Sequence, residues 1–233
     1  MQRPVLHRWD VTPAEALEIQ HELAARVIEQ DQTGVVRLVA GVDVGFEGAH
    51  NETARAAVVV LRFPELTPVE SAVARLPVTF PYVPGLLAFR EIPVVLAAFA
   101  QLNTAPDVLI VDGQGRAHPR RFGIASHLGV WLDVPTIGCA KSILCGRAKE
   151  PVDRAGAWSL LIEQGETVGA AVRTRPGTQP VYVSVGHRVN LDRAIALVLK
   201  CTTRYRLPET TRHAHRVASG EPIDLDSGTA RLF

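Results

Sequence analysis

No stretch constrains this chain more than Val108-Leu109-Ile110-Val111-Asp112. Four aliphatic residues in succession leave no polar face, so they read as a strand buried inside a sheet. Such a strand needs covering layers, and the surrounding pattern provides them. Thr12-Pro13-Ala14-Glu15 opens a predicted helix: Thr12 caps it, Pro13 suits its first position and Glu15 completes a capping box. That helix is predicted to run to about Glu29, with Ala16, Leu17, Ile19, Leu23, Val27 and Ile28 at helical spacing. Residues 35–44, 56–62 and 69–78 are rich in Val without a helical period and predict three strands joined by polar turns. Helices are predicted over 93–102, 123–132, 191–201 and 210–218, and strands over 107–111, 135–140, 167–173 and 181–185. A strand meander followed by β-α units is an α/β pattern and predicts a mixed sheet with helices on both faces.

The 233 residues suit a single domain over 1–233, since one core can grow to roughly 200–250 residues before a chain divides. An apolar share of 47% with 21% charged residues excludes a disordered, collagenous or coiled-coil chain. The best apolar run, 94–100, falls far short of the ~20 residues that cross a bilayer. Residues 1–8 lack the apolar core of a secretory signal, so no membrane role is expected. Cys139, Cys145 and Cys201 form no close pair and read as reduced thiols of a cytoplasmic protein. A monomer is expected, with 220–233 a loosely ordered tail. Net charge is 25 − 24 = +1, yet 193–216 holds six Lys or Arg and one Glu, which leaves the rest of the chain at −4. A basic sector on a neutral protein suits a phosphate backbone.

Two acidic residues sit where structure makes them expensive. Asp43 ends the aliphatic run Leu38-Val39-Ala40-Gly41-Val42, and Asp112 ends the run quoted above. A carboxylate at the end of a buried strand loses hydration and needs compensating charge. Strand ends are also where open α/β sheets hold ligands. Either aspartate alone serves equally well as a turn cap; the two together favour a hard cation with oxygen ligands, Mg²⁺ or Mn²⁺. Glu91, at the predicted entry to the helix over 93–102, joins them as a third carboxylate. Directly after Asp112, Gly113-Gln114-Gly115-Arg116-Ala117-His118-Pro119-Arg120-Arg121 holds three arginines and a histidine with no acid, which favours phosphate contact. In Phe80-Pro81-Tyr82-Val83-Pro84-Gly85-Leu86-Leu87 two prolines stiffen an apolar loop with an aromatic tip. Such a loop is either a buried connection or a wedge that separates stacked bases.

These segments resemble the endonuclease V family, the deoxyinosine 3′ endonucleases. The resemblance rests on Gly41-Val42-Asp43-Val44-Gly45-Phe46, PYVPGLLAFREIP over 81–93, VDGQGRAHPRRFGIASHLGV over 111–130, TIGCAKSILCG over 136–146, Gly186-His187-Arg188-Val189 and RLPETTR over 206–212. It spans 41–218. It implies an RNase H-like fold and Mg²⁺-dependent hydrolysis of the second phosphodiester bond 3′ to deoxyinosine, with Mn²⁺ able to substitute. Carried over by position, Asp43, Glu91 and Asp112 match the metal-site acids, and Lys141 and His215 the basic residues of the reacting centre. Tyr82, Val83 and Pro84 match the wedge, and His118 a histidine near the cleaved strand, with Arg120 and Arg121 beside it as DNA contacts. Gly85, Leu87, Gly113 and Gly123 match positions around the hypoxanthine pocket. Ser142 departs from the pattern where a second lysine is common, and Thr210 where proline is frequent. Two rivals remain: a ribonuclease acting on inosine-containing RNA, and a lesion-binding module without catalysis. The three carboxylates argue against the second.

Overall fold

The computed structural model describes residues 5–226. Nine strands form one mixed sheet in the order β3-β2-β1-β4-β5-β9-β8-β7-β6. In chain order these are β1 Leu38–Glu47, β2 Thr53–Arg62, β3 Pro68–Pro77, β4 Val108–Val111, β5 Thr136–Ala140, β6 Arg147–Ala148, β7 Trp158–Glu163, β8 Glu166–Val172 and β9 Val181–His187. The helices are α1 Pro13–Ala24, α2 Leu87–Phe99, α3 Ile124–Leu132, α4 Leu191–Lys200 and α5 Glu209–Ala218. β1, β2 and β3 pair antiparallel in succession, and β1, β4 and β5 run parallel. β9 returns antiparallel to β5 and carries β8, β7 and β6 at the far edge.

Side-chain alternation divides the interior between two faces. Val39, Ala57, Val59, Leu61, Val108, Ile110, Ile137 and Cys139 pack with Ile195, Leu197 and Val198 of α4 and Ala214 and Val217 of α5. Ala40, Val42, Ala56, Val58, Val60, Leu109 and Val111 pack on the opposite face with Ala88, Ile92, Val95 and Ala98 of α2 and Ile124 and Leu128 of α3. Every residue of β4 is therefore buried on one face or the other, as its unbroken aliphatic run requires.

A close helix–sheet contact sets the position of α5. A Cβ at Gly41 would lie 1.9 Å from the carbonyl oxygen of Thr210, so only glycine lets the start of α5 rest on the β1 backbone. Asp43 lies two residues along β1 on the same face, and His215 lies one and a half turns along α5.

Four sequence expectations are corrected. The first helix ends at Ala24, not near Glu29. The Arg188 N–H donates to the Ile28 carbonyl at 2.6 Å and the Gln32 N–H to the Arg188 carbonyl at 3.0 Å, so this segment is recruited by the chain after β9. α2 begins at Leu87, and Pro93 lies inside it. The buried stripe Ala88, Ile92 and Val95 continues through the proline, and its packing outweighs the hydrogen bond that Pro93 cannot donate. β1 continues past Asp43 to Glu47, so Asp43 is interior to its strand while still lying beyond the carboxyl end of β4. The edge strands β6 and β7 were not predicted, although Gln164 at φ 53° and Gly165 at φ 83° form a two-residue turn suited to the hairpin that joins β7 to β8.

Within the tail expected to be loose, the Glu221 carboxylate binds Arg216, and the Asp226 N–H donates to the Pro68 carbonyl at 2.7 Å. The rest of that tail lies outside the described residues. The three cysteines are free thiols. Among the described residues no helix is long and apolar enough to cross a membrane.

Candidate active site

Register assembles the centre. Val42 of β1 lies opposite Val111 of β4, so Asp43 and Asp112, one residue further on each, stand side by side. Val111 in turn lies opposite Gly138 of β5, which delivers Lys141 just past the end of that strand. Lys141 Nζ donates to Asp112 Oδ2 at 2.5 Å, and His215 Nδ1 lies 2.9 Å from Asp43 Oδ2. The proton on that bond belongs to Nδ1, because a carboxylate can only accept. In the neutral ring this leaves the lone pair on Nε2, available to a water or a phosphate. Both aspartate side chains are largely shielded, whereas Lys141 and His215 are open to solvent.

Glu91 approaches from the opposite layer. It lies in the second turn of α2, not at the helix entry expected from the sequence. Among the described residues no hydrogen bond or ion pair holds it. Burial, then the nearby charges of Asp43 and Asp112, raise its pKa from 4.5 to about 8. Asp43 is raised as well, chiefly by burial, with Asp112 adding to the rise and His215 opposing it. The donor chemistry thus suits a hard divalent cation: three carboxylates share one field, and Glu91 holds its charge poorly without added positive charge. Among the described residues no three His, Cys, Asp or Glu side chains stand as a ready-made metal cluster. Asp43 and Asp112 turn an oxygen instead to His215 and Lys141, so closing on an ion requires those side chains to turn.

A pocket of about 370 Å³ opens beside Asp112 and Lys141. Its walls include Tyr82, Val83, Pro84, Gly85 and Leu87 from the loop before α2, and Gly113, His118 and Gly123 from the segment between β4 and α3. The loop is anchored at both ends, with Phe80 and Leu86 buried against Phe89 and Ala16. Tyr82 between them is 73% exposed. Gly85 sits at φ +79°, a conformation that other residues adopt only with strain.

The basic run after Asp112 turns inward. His118 is 3% exposed, its Nε2–H donates to the Gly85 carbonyl at 3.0 Å, and its Nδ1 accepts from the Arg120 N–H at 3.2 Å. This tautomer is neutral, in accord with a pKa lowered to about 4 by burial and by the Arg120 and Arg121 charges. Arg120 donates to the Gly85 carbonyl at 2.8 Å and to Gln20 Oε1 at 2.6 Å. Arg121 and Arg116 both bind Glu166. These cations brace the pocket wall from within, each with at least one guanidinium donor engaged by a protein partner.

Sequence reasoning missed Gln20, which is 1% exposed and donates to the Gly85 carbonyl at 3.0 Å and the Phe122 carbonyl at 3.1 Å. The signal was available, because Gln20 occupies the buried stripe of α1 between Ala16 and Leu23. It also missed Ile143 and Leu144, exposed apolar residues after Lys141 that close the pocket from the other side.

Known proteins resemble this chain over most of its length. The model of the family Endonuclease V matches residues 21–216. An endonuclease V from Roseiflexus sp. (strain RS-1) is 59% identical over 211 residues, covering 91% of this chain and 94% of that protein. The crystal structure of an endonuclease V from Streptomyces avermitilis superposes with a TM-score of 0.87 at 46% identity, covering 91% of this chain and 93% of that one. A Ciona intestinalis endonuclease V variant, D234N, solved with a 23mer DNA containing an inosine followed by a ribo-adenosine, superposes with a TM-score of 0.77 at 29% identity over 90% of this chain and 98% of that one.

Proposed function

From the chain's membership of the endonuclease V family, we propose that this nuclease recognises deoxyinosine in DNA and hydrolyses the second phosphodiester bond 3′ to it in a Mg²⁺-dependent reaction. The observation that carries this reading is the sharing of Asp112 and Lys141 between the centre of charged residues and the glycine-lined pocket. A base seated in the pocket lies next to groups suited to phosphate chemistry. In this reading the fold is of the RNase H-like kind, and the chain acts as a single-domain monomer in the cytoplasm.

Hypoxanthine presents a carbonyl at C6 and an N1–H donor, where adenine presents an amine and a bare N1. Gly85, Gly113 and Gly123 carry no side chain and so let the pocket wall come close to the first pattern. Adenine would leave polar groups unpaired at about 1–3 kcal/mol each. An inosine pair is also weaker than a normal pair, so extruding the base costs less, and Tyr82, which is exposed, would fill the gap it leaves.

Asp43 and Asp112 would hold the metal, with Glu91 acting directly or through a water. When bound, Mg²⁺ supplies charge neutralisation at the phosphate and polarises its oxygens. Lys141 holds Asp112 and presents positive charge to the phosphate. His215, oriented by Asp43, offers Nε2 to the attacking water.

The test is a labelled duplex bearing one deoxyinosine, beside its undamaged twin and a matched inosine RNA. A Mg²⁺-dependent nick at the second bond 3′ to deoxyinosine is expected. Equal cutting of the undamaged duplex, or a nick elsewhere, overturns the reading. A preference for the RNA would transfer the same chemistry to the ribonuclease alternative. Asp43→Asn is expected to abolish nicking while inosine-DNA binding survives, and wild-type nicking by that variant would remove the metal assignment.

A further inference from the structure

Asp112 and Lys141 also line a second cavity, a groove of about 500 Å³ bounded by Tyr205, Arg212, His215 and Arg216. Among the described residues Asp112 is the only carboxylate on its walls, while Glu209 and Glu221 pair with Arg212 and Arg216 from outside it. Arg206 stiffens the floor: its guanidinium donates to the Lys141 carbonyl at 2.7 Å and to the Pro180 carbonyl at 2.8 Å. The reacting centre therefore stands between a pocket lined by glycines and apolar residues and a groove lined by arginines.

Tyr205 is the unusual residue here. It is 43% exposed and joins none of the buried apolar clusters. Its ring is gripped by cations instead, with the Arg212 Cζ 3.4 Å and the Arg204 Cζ 5.4 Å from its centroid. Arg212 is itself held by Glu209, its Nη1 donating to Oε2 at 2.5 Å. An exposed aromatic ring held in a basic groove is a ready surface for a nucleobase.

We propose that Tyr205, backed by Arg212, is the seat for the nucleotide just beyond the cut, with Arg212 and Arg216 taking its phosphates. The inference rests on the inosine-directed nuclease reading. A strand held by its lesion in one cavity and by this nucleotide in the other must cross Asp112 and Lys141 at a fixed step. The two seats together set the distance from lesion to nick.

The experiment compares the wild-type chain with Tyr205→Ala and Tyr205→Phe. The substrates are the deoxyinosine duplex and the same duplex lacking the base of the nucleotide immediately 3′ to the cut. Stacking of one base predicts that Tyr205→Ala raises KM about tenfold with kcat nearly unchanged. Tyr205→Phe keeps the wild-type KM, because stacking needs the ring and not the hydroxyl. Removing the base raises the wild-type KM by a similar factor, and removing ring and base together costs no more than either alone. A wild-type KM for Tyr205→Ala, an equal loss in Tyr205→Phe, or losses that multiply would each overturn the proposal. If the wild-type chain leaves the deoxyinosine duplex intact, the nuclease reading falls as well; if it cuts normally and Tyr205→Ala matches it, only this inference falls.

Discussion

The two cavities flanking Asp112 and Lys141 are built on opposite plans. The pocket under Tyr82 is braced by hydrogen bonds from within, although Gln114 Oε1 in its wall is buried without a partner among the described residues. The carbonyl of Gly85 alone takes donors from Gln20, His118 and Arg120, and the cations around it are engaged with protein partners. The groove beside α5 leaves the Tyr205 ring and the Arg216 side chain exposed to solvent, with Arg212 paired to Glu209 and Arg216 to Glu221. The contrast teaches how one chain serves two demands on a single strand. Discrimination between bases needs fixed, desolvated partners whose mismatch is costly. Holding a strand of any sequence needs charge and flat surfaces that tolerate every base.

Within this comparison the largest effect should come from Lys141, which with Asp112 is common to both cavities. Lys141→Ala is expected to lower kcat by about 10²–10³-fold, as loss of a donor to developing charge does, with DNA binding largely kept. Unchanged kcat in single-turnover kinetics would show that Asp112 needs no cationic partner. Next comes the rigid side: Tyr82→Ala should weaken binding of inosine DNA by about tenfold and leave binding of undamaged DNA nearly unchanged, read by titration at fixed salt. On the open side, Arg216→Ala should weaken lesion and undamaged duplex alike and reduce the slope of log K against log salt by about one. A loss confined to inosine DNA would erase the distinction between the cavities.

The smallest effect concerns Glu91. Its folded pKa of about 8 lies above its ordinary value of 4.5. Between those pH values the unfolded chain has lost the proton that the folded protein keeps, so stability falls as pH rises through that window and levels off above it. In chelator, Glu91→Gln should therefore melt higher than wild type at pH 8 and about equally at pH 4.5, by roughly 2–4 °C for each kcal/mol relieved. Wild-type protein binding Mg²⁺ at pH 7 should release a proton that the variant does not, measurable by calorimetry in two buffers. Identical melting of both proteins at pH 8 would remove the strained carboxylate.

Much of this was written in short-range pattern. The aliphatic runs before Asp43 and Asp112 announced buried strands with acids at the wrong end for comfort, and the Pro-Tyr-Val-Pro loop announced a stiff aromatic tip. Such signals are legible because burial, period and proline geometry act within a few residues. The inward turn of His118, Arg120 and Arg121 was not legible, because their partners Gln20, Gly85 and Glu166 lie far away along the chain. The extension of α2 through Pro93 was hidden for the same reason, since the packing that offsets the lost hydrogen bond comes from the sheet.

By itself the sequence determined which residues could carry charge, which segments had to be buried and where the backbone had to stiffen, since these follow from side-chain chemistry and local period. Only the tertiary structure decided that Asp43 and Asp112 stand level, that α5 rests on Gly41 and brings His215 to Asp43, and that the C-terminal arginines form a groove while those after Asp112 do not. Those outcomes depend on strand register and on helix-to-sheet distance, and both are set by long-range packing rather than by any neighbourhood in the chain.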